Sequence, residues 1–276
     1  METAAMSKTR VGLVGAGRMG QPMIGHLARK GFDVVVFDAD PGKRGIAEEM
    51  GAKWEESAAQ LARRVDVILV CVGFDSQVRD LICGGGPLAQ SRPGTVIAVL
   101  STIHPRTMKQ LAVELAPRQV HVVDATVCRG SWAADEGTLL AFVGGAAAEV
   151  ARLTPVLHAF ASDVVHTGPV GTAQVAKAAN NLILWACLVA DHEALALAQR
   201  YGVDVDALRR ALLTSSASNH ALENWGRQTM AWAQDDMAIV MDMADECGIS
   251  LPQAGVVREI CRTLKPRRYR IEEYGK

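Results

Sequence analysis

Aromatic residues are scarce in this sequence, at 5% of 276 positions. The interior must therefore be built mainly from Ala, Val, Leu, Ile and Met. No Cys-x-x-Cys pair occurs: the six cysteines stand apart at 71, 83, 128, 187, 247 and 261, outside any His/Cys cluster of zinc spacing. That argues against a zinc site, and isolated thiols fit a reducing, cytoplasmic compartment. An excess of one charge is missing too. The formal net charge is -1 and no basic stripe runs through residues 1–260, which excludes nucleic acid as an expected partner. The N-terminal METAAMSKTR has no apolar stretch, so no secretory leader is expected. The longest apolar run, Leu182 to Ala190, is too short to span a bilayer and meets Asp191, His192 and Glu193. What is present is ordinary globular content, 49% hydrophobic against 21% charged, which excludes a long disordered chain.

Short β-branched runs alternate with helical patterns as far as residue 167. Strands are expected at Arg10–Gly15, Asp33–Asp38, Val65–Val72, Thr95–Leu100, Val120–Asp124, Leu139–Gly144 and Asp163–His166. Most are apolar throughout rather than alternating, as strands of a parallel sheet covered on both faces are. The pattern predicts a doubly wound α/β domain over residues 1–167. From 168 to 276 no strand pattern remains. Helices are expected at Thr172–Arg200, Asp204–Leu213, Asn219–Ala233, Met237–Cys247 and Gln253–Leu264, making an all-α domain. The long helix is apolar over more than one face, through Leu182, Ile183, Leu184, Trp185, Leu188 and Val189. Such a helix calls for cover on all sides, and a second subunit is the expected cover. The closing KPRRYRIEEYGK reads as a solvated tail.

Gly15-Ala16-Gly17-Arg18-Met19-Gly20 closes the first strand and opens the first helix. A lone G-x-G-x-x-G is weak, but this one has the strand–turn–helix context that a dinucleotide site requires. Gly15 allows the turn, Gly17 the approach of a pyrophosphate, and Gly20 the packing of helix on strand. The phosphates then face free N–H groups at a helix N-terminus. Arg18 either reaches the pyrophosphate or lies on the surface. Asp38 ends the second strand, where a carboxylate accepts from ribose hydroxyls and repels a 2′-phosphate, so NAD is expected over NADP. Val72, Gly73 and Thr102 lie at further strand ends that line the same crevice, with Ser101 as a helix N-cap or crevice residue.

Three segments together resemble the β-hydroxyacid dehydrogenase family, to which the 3-hydroxyisobutyrate dehydrogenases belong. They are the glycine turn with Gln21-Pro22-Met23, then Asp124-Ala125-Thr126-Val127-Cys128-Arg129-Gly130 with Gly137-Thr138-Leu139, then Gly168-Pro169-Val170-Gly171 with Lys177-Ala178-Ala179-Asn180-Asn181. The resemblance implies a Rossmann-type N-terminal domain, an all-α C-terminal domain, and a homodimer or homotetramer. It also implies exchange between a small anionic 3-hydroxy acid, or similar alcohol, and its aldehyde or ketone.

Lys177 is also singled out by chemistry. Hydride transfer to a carbonyl needs a proton donor at the forming alkoxide, and a partly desolvated lysine serves as that acid or, in reverse, as base. Asn181 lies one helical turn on and is expected to orient the lysine or bind substrate. Three positions depart from the family pattern. Cys128 stands where the family has serine and is a weaker hydrogen-bond donor. Arg129 replaces a glycine before Gly130 and offers a bidentate clamp for a substrate anion, as in the sulfolactaldehyde reductase type; otherwise it faces solvent or pairs with Asp135. Asp235 replaces the family lysine on the helical side, to bind a cationic group or to pair with Arg129. Two other readings stand beside the dehydrogenase: an imine reductase-like enzyme, against which Lys177 speaks, and a non-catalytic dinucleotide-binding scaffold.

Overall fold

The computed structural model describes residues 9–264 and 269–275. Residues 1–8 at the N-terminus, and 265–268 and 276 of the expected tail, lie outside the described residues.

The chain forms two compact units that divide between Lys177 and Ala178. The first holds eight strands: β1 (Arg10–Val14), β2 (Asp33–Phe37), β3 (Lys53–Trp54), β4 (Val67–Val70), β5 (Val96–Val99), β6 (His121–Cys128), β7 (Leu139–Gly144) and β8 (Ala161–Gly168). They form one sheet in the order β3-β2-β1-β4-β5-β6-β7-β8, so the winding reverses between β1 and β4. Helices α1 (Gly20–Arg29), α2 (Arg44–Glu49), α3 (Ala58–Arg64), α4 (Asp75–Ile82), α5 (Pro105–Leu115), α6 (Gly130–Glu136) and α7 (Ala147–Leu157) connect them. Each apolar strand feeds two cores by alternation. Val11, Leu13, Leu69 and Ala98 pack with Met23, Ile24 and Leu27 of α1, whereas Val14, Ile68, Val70 and Ile97 pack with Leu61, Val78 and Leu111 of α3, α4 and α5. Two buried faces are the physical reason the strands read as continuous hydrophobic runs.

The apolar strand pattern predicts a parallel sheet, but the sheet is not parallel throughout. β7 runs antiparallel to β6, and β8 then follows parallel to β7. The cause is the short link 129–138, because a parallel crossover needs about a dozen residues or more. β8 is one of the two edge strands, with β3 at the other end, and is largely exposed; its polar Ser162, Asp163 and His166 suit an unpaired edge.

Helix α8 (Thr172–Arg200) begins in the first unit and continues into the second, which also holds α9 (Val205–Leu212), α10 (His220–Glu223), α11 (Ala233–Cys247) and α12 (Pro252–Leu264). α8 is long and apolar enough to cross a membrane by length and composition alone. Its Trp185, Leu188 and Val189 are nevertheless buried among Met237, Val240, Ala254 and Val257 of the helical core. Val175, Ile183 and Leu197 of the same helix are exposed.

Two sequence expectations fail in this unit. Asn219–Ala233 is not one helix. Asn219 caps a short α10 by accepting from Leu222 N at 2.9 Å, and Gly226 (φ +88°) and Met230 (φ +53°) then take left-handed conformations that no α-helix tolerates in its interior. α11 therefore starts at Ala233 rather than Met237. Residues 269–275 of the supposed solvated tail are packed instead. Ile271 is buried, Tyr269 N donates to His192 Nε2 at 3.0 Å, and Tyr274 OH donates to Glu193 Oε1 at 2.9 Å. Two tyrosines and an isoleucine give this mixed-charge segment enough apolar surface to dock.

Candidate active site

The glycine turn lies between β1 and α1, at the strand order reversal, where ligands of wound sheets bind. Its three glycines leave very different room. A Cβ on Gly15 (φ +101°) would stand 2.2 Å from Cys71 O, and one on Gly20 would stand 2.1 Å from Gly15 O. Around Gly17 nothing lies within 4 Å of a Cβ position. Two glycines thus weld the turn to strand and helix, and the third faces open space where a phosphate approaches. Met19 at the α1 N-cap provides no side-chain acceptor and the first turn holds no acid, so no side chain competes there with an anion, although Gln21 N already donates to Gly17 O at 3.0 Å and Pro22 has no N–H. These residues fit a dinucleotide's pyrophosphate.

Asp38 sits beside this turn. Its Oδ2 accepts from Ala16 N at 2.6 Å and its Oδ1 from Asp40 N at 2.8 Å, which fixes the carboxylate at the end of β2. Arg18 turns to Asp135 of α6, with Nη1 to Oδ1 at 2.7 Å and Nη2 to Oδ2 at 2.5 Å. At the neighbouring strand ends, Ser101 Oγ accepts from Val72 N at 3.0 Å and donates to Val72 O at 2.8 Å, tying β5 to β4. Ser101 is thus not the α5 cap: His104 holds that place, its Nδ1 accepting from Arg106 N. Gly73 N and Phe74 N both donate to Gln77 Oε1, and Thr102 is half-buried just beyond β5.

β6 organises the other half of the site by holding the start of α8. Asp124 is fully buried, and its carboxylate accepts from Gly171 N at 2.8 Å and Gln174 N at 3.0 Å. Burial pushes this carboxyl above its ordinary range despite those opposing backbone bonds. Thr126 Oγ1 donates to Ala173 O at 3.1 Å. The buried Gln174 side chain donates to Ser101 O at 2.9 Å and accepts from Ile103 N at 3.0 Å. These bonds draw the first turns of α8 into the sheet unit, beyond the 167/168 boundary read from the sequence. Lys177 follows, its Nζ donating to Val127 O at 2.7 Å and lying 3.9 Å from Cys128 Sγ. Thus Lys177 and Cys128 meet at the C-terminal end of β6. Asn181, four residues along the same helix, is buried and accepts from Asn180 Nδ2 at 3.0 Å.

Arg129 and Gly130 both have positive φ, +86° and +82°, and a Cβ on Gly130 would overlap the Trp132 ring at 2.5 Å. The Arg129 guanidinium neither faces solvent freely nor pairs with Asp135. Its Nη1 donates to Asp163 Oδ2 at 2.7 Å, Ser162 Oγ at 2.8 Å and Thr138 O at 3.0 Å. Asp235 is exposed in the first turn of α11, where a helix dipole favours an acid. Among the tryptophans, Trp185 is buried with Nε1 donating to Asp236 Oδ2 at 3.1 Å, and Trp225 packs on His192 and Tyr269. Sequence reading missed the anchoring role of Asp124 and Gln174. Asp124 stood inside the recognised motif, whereas Gln174 carried no local signal.

Residues 10–168 match the family model described as the NAD binding domain of 6-phosphogluconate dehydrogenase. Residues 171–272 match the one described as NAD-binding of NADP-dependent 3-hydroxyisobutyrate dehydrogenase. A probable mitochondrial 3-hydroxyisobutyrate dehydrogenase of Dictyostelium discoideum is 35% identical over 216 residues, 78% of this chain and 67% of the relative. The crystal structure of a 3-hydroxyisobutyrate dehydrogenase from Salmonella typhimurium superposes with a TM-score of 0.83 at 26% identity, over 95% of this chain and 96% of that one. An imine reductase from Myxococcus stipitatus in complex with NADP+ shares the fold, with a TM-score of 0.70, 17% identity and 94% of each chain covered. Two family models that together run along the chain, with a relative at this level of identity, place the chain in the β-hydroxyacid dehydrogenase family, as an NAD(P)-dependent dehydrogenase acting on CH–OH groups.

Proposed function

We propose that the enzyme interconverts a small anionic 3-hydroxy acid and its aldehyde, with Lys177 as the acid/base and NAD as the preferred cofactor. The observation that carries this reading is the meeting of Lys177 Nζ with the end of β6, 2.7 Å from Val127 O and 3.9 Å from Cys128 Sγ. The nicotinamide, when bound, gives or takes a hydride at the carbinol carbon. The protein's own part is the proton. In reduction the Lys177 ammonium gives a proton to the substrate oxygen as the carbonyl becomes an alcohol; in oxidation the free amine removes it. The bond to Val127 O limits where Nζ can swing, so the proton is offered at one place.

Gly15 and Ala16 would shape the turn, their N–H groups bonded to Phe37 O and Asp38 Oδ2, while Gly17, Met19 and Gly20 would hold the pyrophosphate by backbone, and Asp38 would receive the adenosine ribose, disfavouring a 2′-phosphate by charge. Replacing Asp38 with serine is expected to lower the NADH over NADPH preference by about tenfold or more, equivalent to a lost charge-assisted hydrogen bond. Arg129 would bind the substrate anion only by exchanging it for Asp163. The exposed Val175, Ile183 and Leu197 of α8 support a homodimer or homotetramer formed along that helix, and a monomer in sedimentation at micromolar protein would refute it.

The reading is tested by NADH oxidation with a panel of small carboxylated aldehydes. Turnover of at least one, lost in Lys177→Ala, supports it. Cofactor binding with no turnover across the panel overturns it.

A further inference from the structure

Arg18 is the one cation within the Gly15–Gly20 turn. Its guanidinium is held by both oxygens of Asp135, the two-pronged geometry that a guanidinium offers equally to a carboxylate and to a phosphate. The acid is the fixed partner. His26 of α1 bonds through Nε2 to Ala134 O at 3.1 Å and to Asp135 O at 3.0 Å. A Cβ on Gly137, which ends α6, would stand 2.7 Å from the His26 ring, so α6 lies tightly on α1. Asp135 is thus set in place by helix packing, and the long Arg18 side chain is the part able to move. The two side chains are 60% and 50% exposed, so water and salt weaken the pair and little is lost in breaking it. Gly17, next to Arg18 in the chain, has open space at its Cβ position.

We infer that Asp135 is an internal competitor for the cofactor: it occupies Arg18 in the free enzyme, and dinucleotide binding transfers the guanidinium from this carboxylate to the pyrophosphate. The inference rests on the dinucleotide site, not on Lys177 or any substrate. It makes Asp135, a residue with no cofactor contact of its own, a determinant of cofactor affinity. It also links the glycine turn to α6, the helix that begins at Gly130, directly after the Cys128-Arg129 segment.

The test is NADH affinity, read by fluorescence titration without substrate, for the wild type, Asp135→Asn, Arg18→Ala and the double variant. Asp135→Asn is expected to tighten NADH about two- to fivefold, the range of an exposed ion pair, and Arg18→Ala to weaken it. In the Arg18→Ala background the Asp135 change is expected to have no effect. Equal tightening in both backgrounds would mean only that a nearby negative charge had gone, and overturns the exchange. Weakening by Asp135→Asn overturns it as well. A second readout uses the wild type alone. In the free enzyme the hydrogen bond from Arg18 holds the Asp135 carboxyl below the ordinary carboxylate range. Carbon-detected NMR titration of Asp135 should show that hold relaxing when NADH is bound, and an unchanged titration would contradict the transfer.

Discussion

At the β1–α1 corner the protein offers a ligand its backbone; at the β6–α6 corner it offers side chains. The first corner has no space for substituents at Gly15 and Gly20, open space at Gly17, and a helix start without a side-chain cap beyond. The second carries Cys128, buried beside Lys177, and Arg129, a non-glycine residue at φ +86°. Left-handed backbone costs a residue with a Cβ about 1–2 kcal/mol, so here the fold tolerates strain where a glycine would remove it. A site made of backbone fixes its residues by steric need, and so it announces its ligand class. A site made of side chains changes residue by residue while the fold stays the same, and so its substrate is open to revision.

The glycines supply the sharpest way to break this comparison. Gly20→Ala puts a methyl 2.1 Å from Gly15 O, and Gly15→Ala one at 2.2 Å from Cys71 O with a forced positive φ. Each is expected to cost about 1–3 kcal/mol or more in thermal unfolding and to abolish tight NADH binding. Gly17→Ala should leave stability within about 0.5 kcal/mol, because the methyl meets nothing, yet weaken NADH. If all three variants melt alike, the division of labour among them is wrong.

Two carboxylates give opposite pH signatures. Burial lifts Asp124 above its ordinary value, so the folded protein holds that proton more tightly than the unfolded chain. Its contribution therefore favours low pH and declines as pH rises from the ordinary carboxylate value through the raised one. Asp135 is depressed by Arg18, so its contribution is present above the ordinary value and lost as pH falls through the lowered one. Chemical denaturation across pH 3 to 7, roughly the carboxylate range, should show Asp124→Asn and Asp135→Asn changing the pH slope with opposite signs.

The smallest effect is expected at Arg129. Arg129→Gly relieves the left-handed strain and should stabilise by about 1 kcal/mol or less, since the exposed ion pair that it removes contributes little. Arg129→Ala keeps the strain. Its effect on KM for acid substrates separates the two roles of this arginine, and an unchanged KM would show that the anion is bound elsewhere.

The same contrast explains what was legible in the sequence. The strands stood out because both sheet faces are covered, and the Thr172–Arg200 helix because Gly171 and Gly202 bracket it. The reversal of β7 was hidden, since strand direction resides in the link 129–138 and not in the strand's own residues. The break in Asn219–Ala233 was hidden because Met230, a good helix former, takes a positive φ. The cofactor turn declared itself by spacing. The partners of its arginine and of Arg129 did not, because Asp135 lies 117 residues from Arg18 and Asp163 lies 34 residues from Arg129, separations that carry no local pattern.

Lys177 is proposed to move the proton and to take no part in holding the cofactor. This role is tested most directly by measuring NADH affinity and single-turnover NADH oxidation side by side in the wild type and Lys177→Ala, with the best aldehyde of the panel. The expected NADH affinity lies within about twofold of wild type, and the expected rate constant is lower by about 10²–10⁴-fold, the usual range for losing a general acid. A rate constant that stays near the wild-type value, with affinity unchanged, would contradict it.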